Sequence, residues 1–141
     1  MKWFLVNHGS FYGNEILHGC VFVPRKHEDD AERMRGVCKG DVFFHVSKAG
    51  ISAVGVAMRP CRILPFPAWR ICESELGDRG YLADLQCLLL GNSVASPFPK
   101  RRYLTELSEE EGERLAEKIE ERNPLVSAFL GRWREKPVEN S

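Results

Sequence analysis

The sequence predicts an α+β fold, a small and strongly bent mixed β-barrel flanked by short helices, with further helices at the C-terminus. Three observations predict it. Residues 38–61, CKGDVFFHVSKAGISAVGVAMRPC, hold two alternating runs joined by a Lys-Ala-Gly turn, the pattern of a β-hairpin. Residues 2–8, KWFLVNH, form an aromatic and aliphatic run that stops at Gly9-Ser10, as a first strand does. Ser108 and Glu111 stand at capping-box spacing at the head of SEEEGERLAEKIEER, where a helix begins.

Taken in order, the first strand has alternate faces Trp3/Leu5/Asn7 and Phe4/Val6/His8, with Asn7 and His8 at its exit. Residues 9–19 read as a loop, and VFVP at 21–24 as a short strand ended by proline, which has no N–H to give a ladder. A short helix with an aspartate side-chain cap is expected over 29–37, ending at Gly36 or just after. In the hairpin, Val42/Phe44/Val46 oppose Phe43/His45/Ser47, and Ile51/Ala53/Gly55/Ala57 oppose Ser52/Val54/Val56. Residues 58–69 contain three prolines and read as an irregular edge strand; Gly77 to Gly80 makes a turn, and 81–90 is a strong strand or buried segment. A polar link over 91–102 leads to the helix expected from Glu109, with Leu115 and Ile119 as its apolar stripe. Asn123-Pro124 then caps a last helix in which Leu125, Phe129 and Trp133 share a face.

A chain of 141 residues, 43% hydrophobic, suits one domain, taken as 1–134, with 135–141 as a tail or the start of a linker. The formal net charge of zero conceals an asymmetry: residues 1–105 carry 14 Lys+Arg against 10 Asp+Glu, and residues 106–141 carry 6 against 10. A mildly basic body permits contact with phosphates without requiring it. The five cysteines, at 20, 38, 61, 72 and 87, are odd in number and lack CxxC spacing, which indicates neither a disulfide framework nor a zinc site. With an apolar opening run too short for a signal peptide, the expectation is a soluble, cytoplasmic protein. No GxSxG, HExxH or Walker loop points to catalysis, and the acidic cluster at 109–113 is accounted for by helix-start electrostatics.

The stretches WFLVN (3–7), GCVFVPR (19–25) and KGDVFFHVSKAGISAVGVA (39–57) together resemble the EVE domains of the PUA-like superfamily. The later pieces GYLADLQCLLL (80–90) and YLTELSEEEGERLAEKI (103–119) agree, so the likeness spans roughly 2–122. More narrowly, the chain looks like the EVE domains at the front of modification-dependent restriction proteins, joined to an HNH nuclease or a McrB-type AAA+ GTPase. The resemblance implies a reader of DNA carrying a modified cytosine, 5-methyl or 5-hydroxymethyl. The base would be turned out of the stack into a pocket walled by aromatic side chains, and an attached or associated restriction motor or nuclease would do the cutting. No cofactor or metal is implied, and no enzyme activity for this chain itself.

On that reading Phe22 stands where the family has a tryptophan and would stack on the base, although it equally reads as a core residue. The family's second tryptophan, near Ala31 here, is missing; Trp69 or Tyr12 would replace it. Trp3 and His45 are candidates for the same pocket, each with a structural alternative. Asn7 and Ser47 are candidate edge readers, because amide and hydroxyl groups both donate and accept. His8 shares that position at the strand exit. Arg25, Lys26 and Lys48, with the run Lys100, Arg101 and Arg102, are candidate phosphate contacts. Base extrusion costs a few kcal/mol and stacking returns roughly 1–3 kcal/mol per base, so edge hydrogen bonds and phosphate contacts must supply the rest. An RNA reader is the alternative, since nothing in the sequence excludes a 2′-hydroxyl. An enzyme acting on a nucleotide would need His45 to meet Glu15 or Asp84.

Overall fold

The computed structural model describes residues 1–70, 79–99 and 102–134. In chain order the elements are β1 (Trp3–Asn7), a 3₁₀ turn (Gly9–Phe11), α1 (Tyr12–His18), β2 (Cys20–Pro24), α2 (Glu28–Arg35), β3 (Val42–Ser47) and β4 (Gly50–Ala57). There follow β5 (Arg62–Pro65), β6 (Arg79–Val94), β7 (Leu104–Leu107), α3 (Glu109–Arg122) and α4 (Leu125–Arg134). The strands form one curled, mixed half-barrel sheet in the order β2-β6-β4-β3-β1-β7, with β5 also pairing β6. Among the described residues only β1 and β3 run parallel, and the other pairs are antiparallel. The expected α+β class and its C-terminal helices are observed.

Both faces of the central strands are buried, which is why they read as nearly continuous apolar runs. Trp3, Leu5, Val42, Phe44 and Val46 pack against Leu115, Ile119, Val126, Phe129 and Leu130 of α3 and α4. On the other face Phe4, Val6 and Phe43 pack with Val21, Val23, Met34 and Ala83 inside the curl, closed by α2. The α3 capping box forms: Glu111 N donates to Ser108 Oγ at 3.1 Å, and Ser108 N to Glu111 Oε1 at 2.9 Å. Such a cap contributes about 1 kcal/mol.

Several local expectations are corrected. Residues 12–18 are helical rather than loop, and the helix is ended by Gly19 in the left-handed region at φ 60°. A side chain at Gly19 would stand 2.9 Å from Leu85 O, so glycine is required there twice over. Helix α2 has His27 at its N-cap and no side-chain cap; Asp30 pairs with Arg33 instead. A bulge beside Ile51 turns it onto the face of Val54 and Val56, where all three are buried. The first four residues of the expected 91–102 link extend β6. Asn123 does not cap α4 with its side chain, which accepts from Asn92 N and donates to Asn92 O, tying α3 to the end of β6. Leu125 is 73% exposed, and α4 packs through Val126, Phe129 and Leu130. Most of the expected Gly77–Gly80 turn and the tail 135–141 lie outside the described residues; Gly80 itself pairs with Pro24 in β6.

Gly112 gives a sign test of this packing. A methyl there would lie 2.1 Å from Cγ of Trp3, whose ring is stacked on Phe44 at a centroid distance of 5.8 Å. Glycine to alanine inside a helix ordinarily stabilises by up to about 1 kcal/mol. Here overpacking outweighs propensity, so Gly112→Ala is expected to destabilise by about 1–2 kcal/mol in chemical denaturation. A gain in stability would show that Trp3 is not held against α3.

Candidate functional site

The parallel pairing of β1 with β3 puts their C-terminal ends side by side, Asn7 next to Val46. Beyond them the chain turns away on one side through Gly9, at φ 58°, and on the other through Ser47 and Lys48 into the hairpin turn. The two exits enclose a cavity of about 510 Å³ lined by Asn7, Gly9, Ser10, Val46, Ser47 and Lys48. Its volume lies in the range of small-ligand pockets. Three residues singled out in the sequence, Asn7, Ser47 and Lys48, therefore meet at one place.

Their hydrogen bonding differs. Asn7 N donates to Tyr103 O at 2.8 Å and Asn7 Nδ2 to Arg102 O at 3.0 Å, while Asn7 Oδ1 is buried without a partner. A buried polar atom in that state costs about 1–3 kcal/mol, and such atoms are rare. The Ser47 hydroxyl is engaged by Ser52 Oγ at 2.7 Å and accepts from Ala49 N at 3.2 Å, which steadies the hairpin end. Tyr12 stands edge-on to His8 with ring centroids 5.5 Å apart; burial raises its phenol pKa, and the nearby Ser52 hydroxyl opposes the rise. Lys48 is exposed.

Behind the cavity lies a buried polar chain. His8 Nδ1 meets Glu15 Oε1 at 2.5 Å, and His8 Nε2 meets His45 Nδ1 at 2.6 Å, with both side chains of the His8–Glu15 pair fully buried. The Glu15 carboxylate also accepts from Tyr103 Oη at 2.5 Å and from Phe22 N at 2.9 Å, with the Arg70 guanidinium 3.6 Å away. Since a carboxylate only accepts, His8 presents a protonated Nδ1 to it. Arg70 in turn donates to Phe22 O and lies over the Phe11 ring at 4.0 Å. Burial, then the neighbouring His8, hold the His45 pKa well below its usual value, so its ring is neutral. A side chain at residue 55 would come within 2.7 Å of His45 Nε2; Gly55 makes the room for this ring. Cys87 Sγ is 3.9 Å from the same nitrogen, and burial pushes its thiol up to about 11.

This chain joins His45 to Glu15 through His8, a link that the sequence reading lacked. It is sealed from solvent, and a thiol held protonated beside it is a poor nucleophile. The arrangement is therefore suited to holding the β1 exit, α1 and β2 together. Arg70 and Tyr103 are the members that the sequence does not single out, while His8, expected as an edge reader, and Glu15, expected only as a partner for His45, are held in this buried chain; Gly19, a helix-ending glycine, is the signal that α1 exists.

The other candidates are placed elsewhere. Trp3 is 2% exposed in the helix-facing core and His45 is fully buried. Phe22 is fully buried between Phe66 and Arg70, and Trp69 stacks on His18 at 4.3 Å with Nε1 lacking a partner. No aromatic ring is among the residues lining the 510 Å³ cavity, whereas an aromatic wall was expected. Arg25 and Lys26 are exposed after β2 and do not line it. Arg102 borders a separate 350 Å³ hollow with His27, Glu28, Asp29 and Asp30. Lys100 and Arg101 lie outside the described residues. Among the described residues no helix is long and apolar enough to cross a membrane.

No protein-family model and no curated protein matches the sequence. Solved structures do match. The chain is similar to protein PSPTO5229 of Pseudomonas syringae, with a TM-score of 0.56 at 11% identity over 83% of this chain and 99% of that one. It is similar to the Toxoplasma CPSF4 YTH domain, with a TM-score of 0.56 at 16% identity over 86% of this chain and 87% of that one. The same YTH domain in complex with a 7-mer m6A-modified RNA gives 0.54, again at 16% identity, over 86% and 91% of the two chains. The chain shares the fold of the YTH domain.

Proposed function

We propose that this chain is a nucleic-acid-binding specificity module that accepts a modified base, flipped out of its strand, at the exits of β1 and β3. The observation that carries the reading is the 510 Å³ cavity that gathers Asn7, Ser47 and Lys48 on a YTH-type fold. The division of labour follows from chemistry: Lys48, exposed at the rim, contacts phosphate and Asn7 reads a base edge, while a stacking ring would have to come from outside the cavity lining, where Tyr12 stands half-buried against His8. The first choice of ligand is DNA containing 5-methyl- or 5-hydroxymethylcytosine, read on behalf of an attached or associated restriction nuclease or motor. RNA with a modified base is the second reading, favoured by the likeness to a YTH domain solved with m6A-modified RNA. On this reading the module binds without catalysing, and the His8–Glu15–His45 chain serves structure, being buried.

The test is binding at fixed salt to matched duplexes with cytosine, 5-methylcytosine, 5-hydroxymethylcytosine or N6-methyladenine, beside single-stranded RNA with and without m6A. One modified member is expected to bind about tenfold or more tightly than its unmodified match, and equal binding throughout sinks the reader. Lys48→Ala is expected to weaken every member alike and to lower the slope of log K against log salt by about one. A change confined to one base would remove Lys48 from the phosphate role.

A further inference from the structure

We infer that Lys48 and Arg102 bracket the flipped nucleotide, each holding the phosphate on one side of it, so that the strand crosses the exit of β1 and is gripped at two linkages. The inference rests on the proposed reading and deepens it, by fixing the path of the partner's backbone. The sheet places the pair. Because β1 runs parallel to β3 and antiparallel to β7, the end of β3, the end of β1 and the start of β7 lie side by side along one rim. Lys48 follows the last residue of β3, and Arg102 comes just before β7. Asn7 stands between them: it lines the cavity with Lys48, and its Nδ2 donates to Arg102 O at 3.0 Å. Neighbouring strands lie about 4.8 Å apart, which sets the β3 and β7 backbones about 10 Å apart on the two sides of β1. Lysine and arginine stems are long enough to close that span onto consecutive phosphates.

Both cations are open to an outside anion. Lys48 and Arg102 are exposed, and among the described residues neither is held in an ion pair. Asp30, beside Arg102, is paired with Arg33 at 3.4 Å instead. The guanidinium thus keeps its fork of donors, which matches phosphate geometry. The same surroundings end the track on that side. Arg102 borders its hollow together with Glu28 and Asp29, both exposed at the start of α2. A phosphate carried beyond Arg102 would meet those carboxylates and be repelled, so one linkage is held there.

The experiment moves one uncharged methylphosphonate linkage at a time along a short DNA duplex with a central 5-methylcytosine, and along a short RNA strand with a central m6A. Binding of the wild type, Lys48→Ala and Arg102→Ala is measured at fixed salt. The wild type is expected to lose about three- to fivefold in affinity at each of the two linkages flanking the modified base, and little elsewhere. In Lys48→Ala one of those two linkages stops mattering, and in Arg102→Ala the other does, which also gives the polarity of the strand. A loss spread evenly over many linkages, a loss on one side only, or two variants that silence the same linkage overturns the inference and leaves the reader standing. Equal binding of strands with and without the modification is the separate outcome that overturns the proposed function, and the bracket with it.

Discussion

Glu15→Ala is expected to cost about 3–5 kcal/mol of folding stability, measured by denaturant unfolding at neutral pH. One carboxylate, fully buried, serves His8 Nδ1, Tyr103 Oη and Phe22 N, and faces the Arg70 guanidinium. Removing it strands three donors at once and takes a carboxylate away from the buried Arg70 guanidinium, and each stranded donor carries its own desolvation cost. The elements concerned are α1, β2, the start of β7 and the β1 exit, so their mutual placement depends on a single side chain. Glu15→Gln keeps one acceptor oxygen but turns an NH₂ group toward partners that are themselves donors, so it is expected to fall between Ala and wild type. A loss below about 1 kcal/mol for Glu15→Ala would mean that water replaces the carboxylate and that the chain is not a structural keystone.

The sheet was legible and this network was not, for a physical reason. The apolar runs of β1, β3 and β4, the proline that ends β2 and the Ser108–Glu111 box are local signals, and each appeared where expected apart from Ile51, which a bulge turns to the other face of β4. Tyr103 meets Glu15 from 88 positions away, and nothing local in YGNEILH tells a buried glutamate from a solvated one. Helix α1 was missed because its sequence lacks an apolar stripe; its only clear mark was the glycine that ends it. The same limit explains α4, where Leu125 and Val126 are equally apolar neighbours and only the packing of the sheet decides which turns inward. Of the candidate site, the strand-exit group Asn7, Ser47 and Lys48 was readable, because polar residues after an apolar run mark an exit and parallel pairing brings two exits together. The aromatic wall was carried over by resemblance to Phe22 and Trp3, and those rings are held in the interior by Arg70 and Phe66, and by Gly112 and Phe44.

Stability is expected to fall on both sides of a plateau between about pH 6.5 and about pH 9. On the acid side the responsible group is His45, held neutral by burial and then by His8, with Cys87 on its other face. The unfolded chain takes up a proton on this ring as pH drops through about 6.5, and the folded chain does not. The unfolded state then binds more protons, so stability declines with falling pH by up to about 1.4 kcal/mol per pH unit until the folded ring also titrates. Two pH units of that slope amount to roughly 3 kcal/mol, a large share of a small domain's stability. On the alkaline side the buried thiols of Cys87 and Cys20 act first, pushed by burial up to about 11 and about 12, and Tyr103 follows, its phenol held well above 10 by burial first and then by the Glu15 carboxylate, with Arg70 opposing. At each of these groups the folded state keeps a proton that the unfolded state releases, so stability declines as pH rises past about 9. The check is denaturant unfolding from pH 4.5 to 8 on the wild type and on His45→Gln, which cannot take up the proton. The variant is expected to start less stable and to lose stability less steeply below pH 6.5, by about one proton's worth of slope. Parallel acid limbs in the two proteins would show that His45 is protonated in the folded state, and that the neutral ring between His8 and Cys87 is wrong.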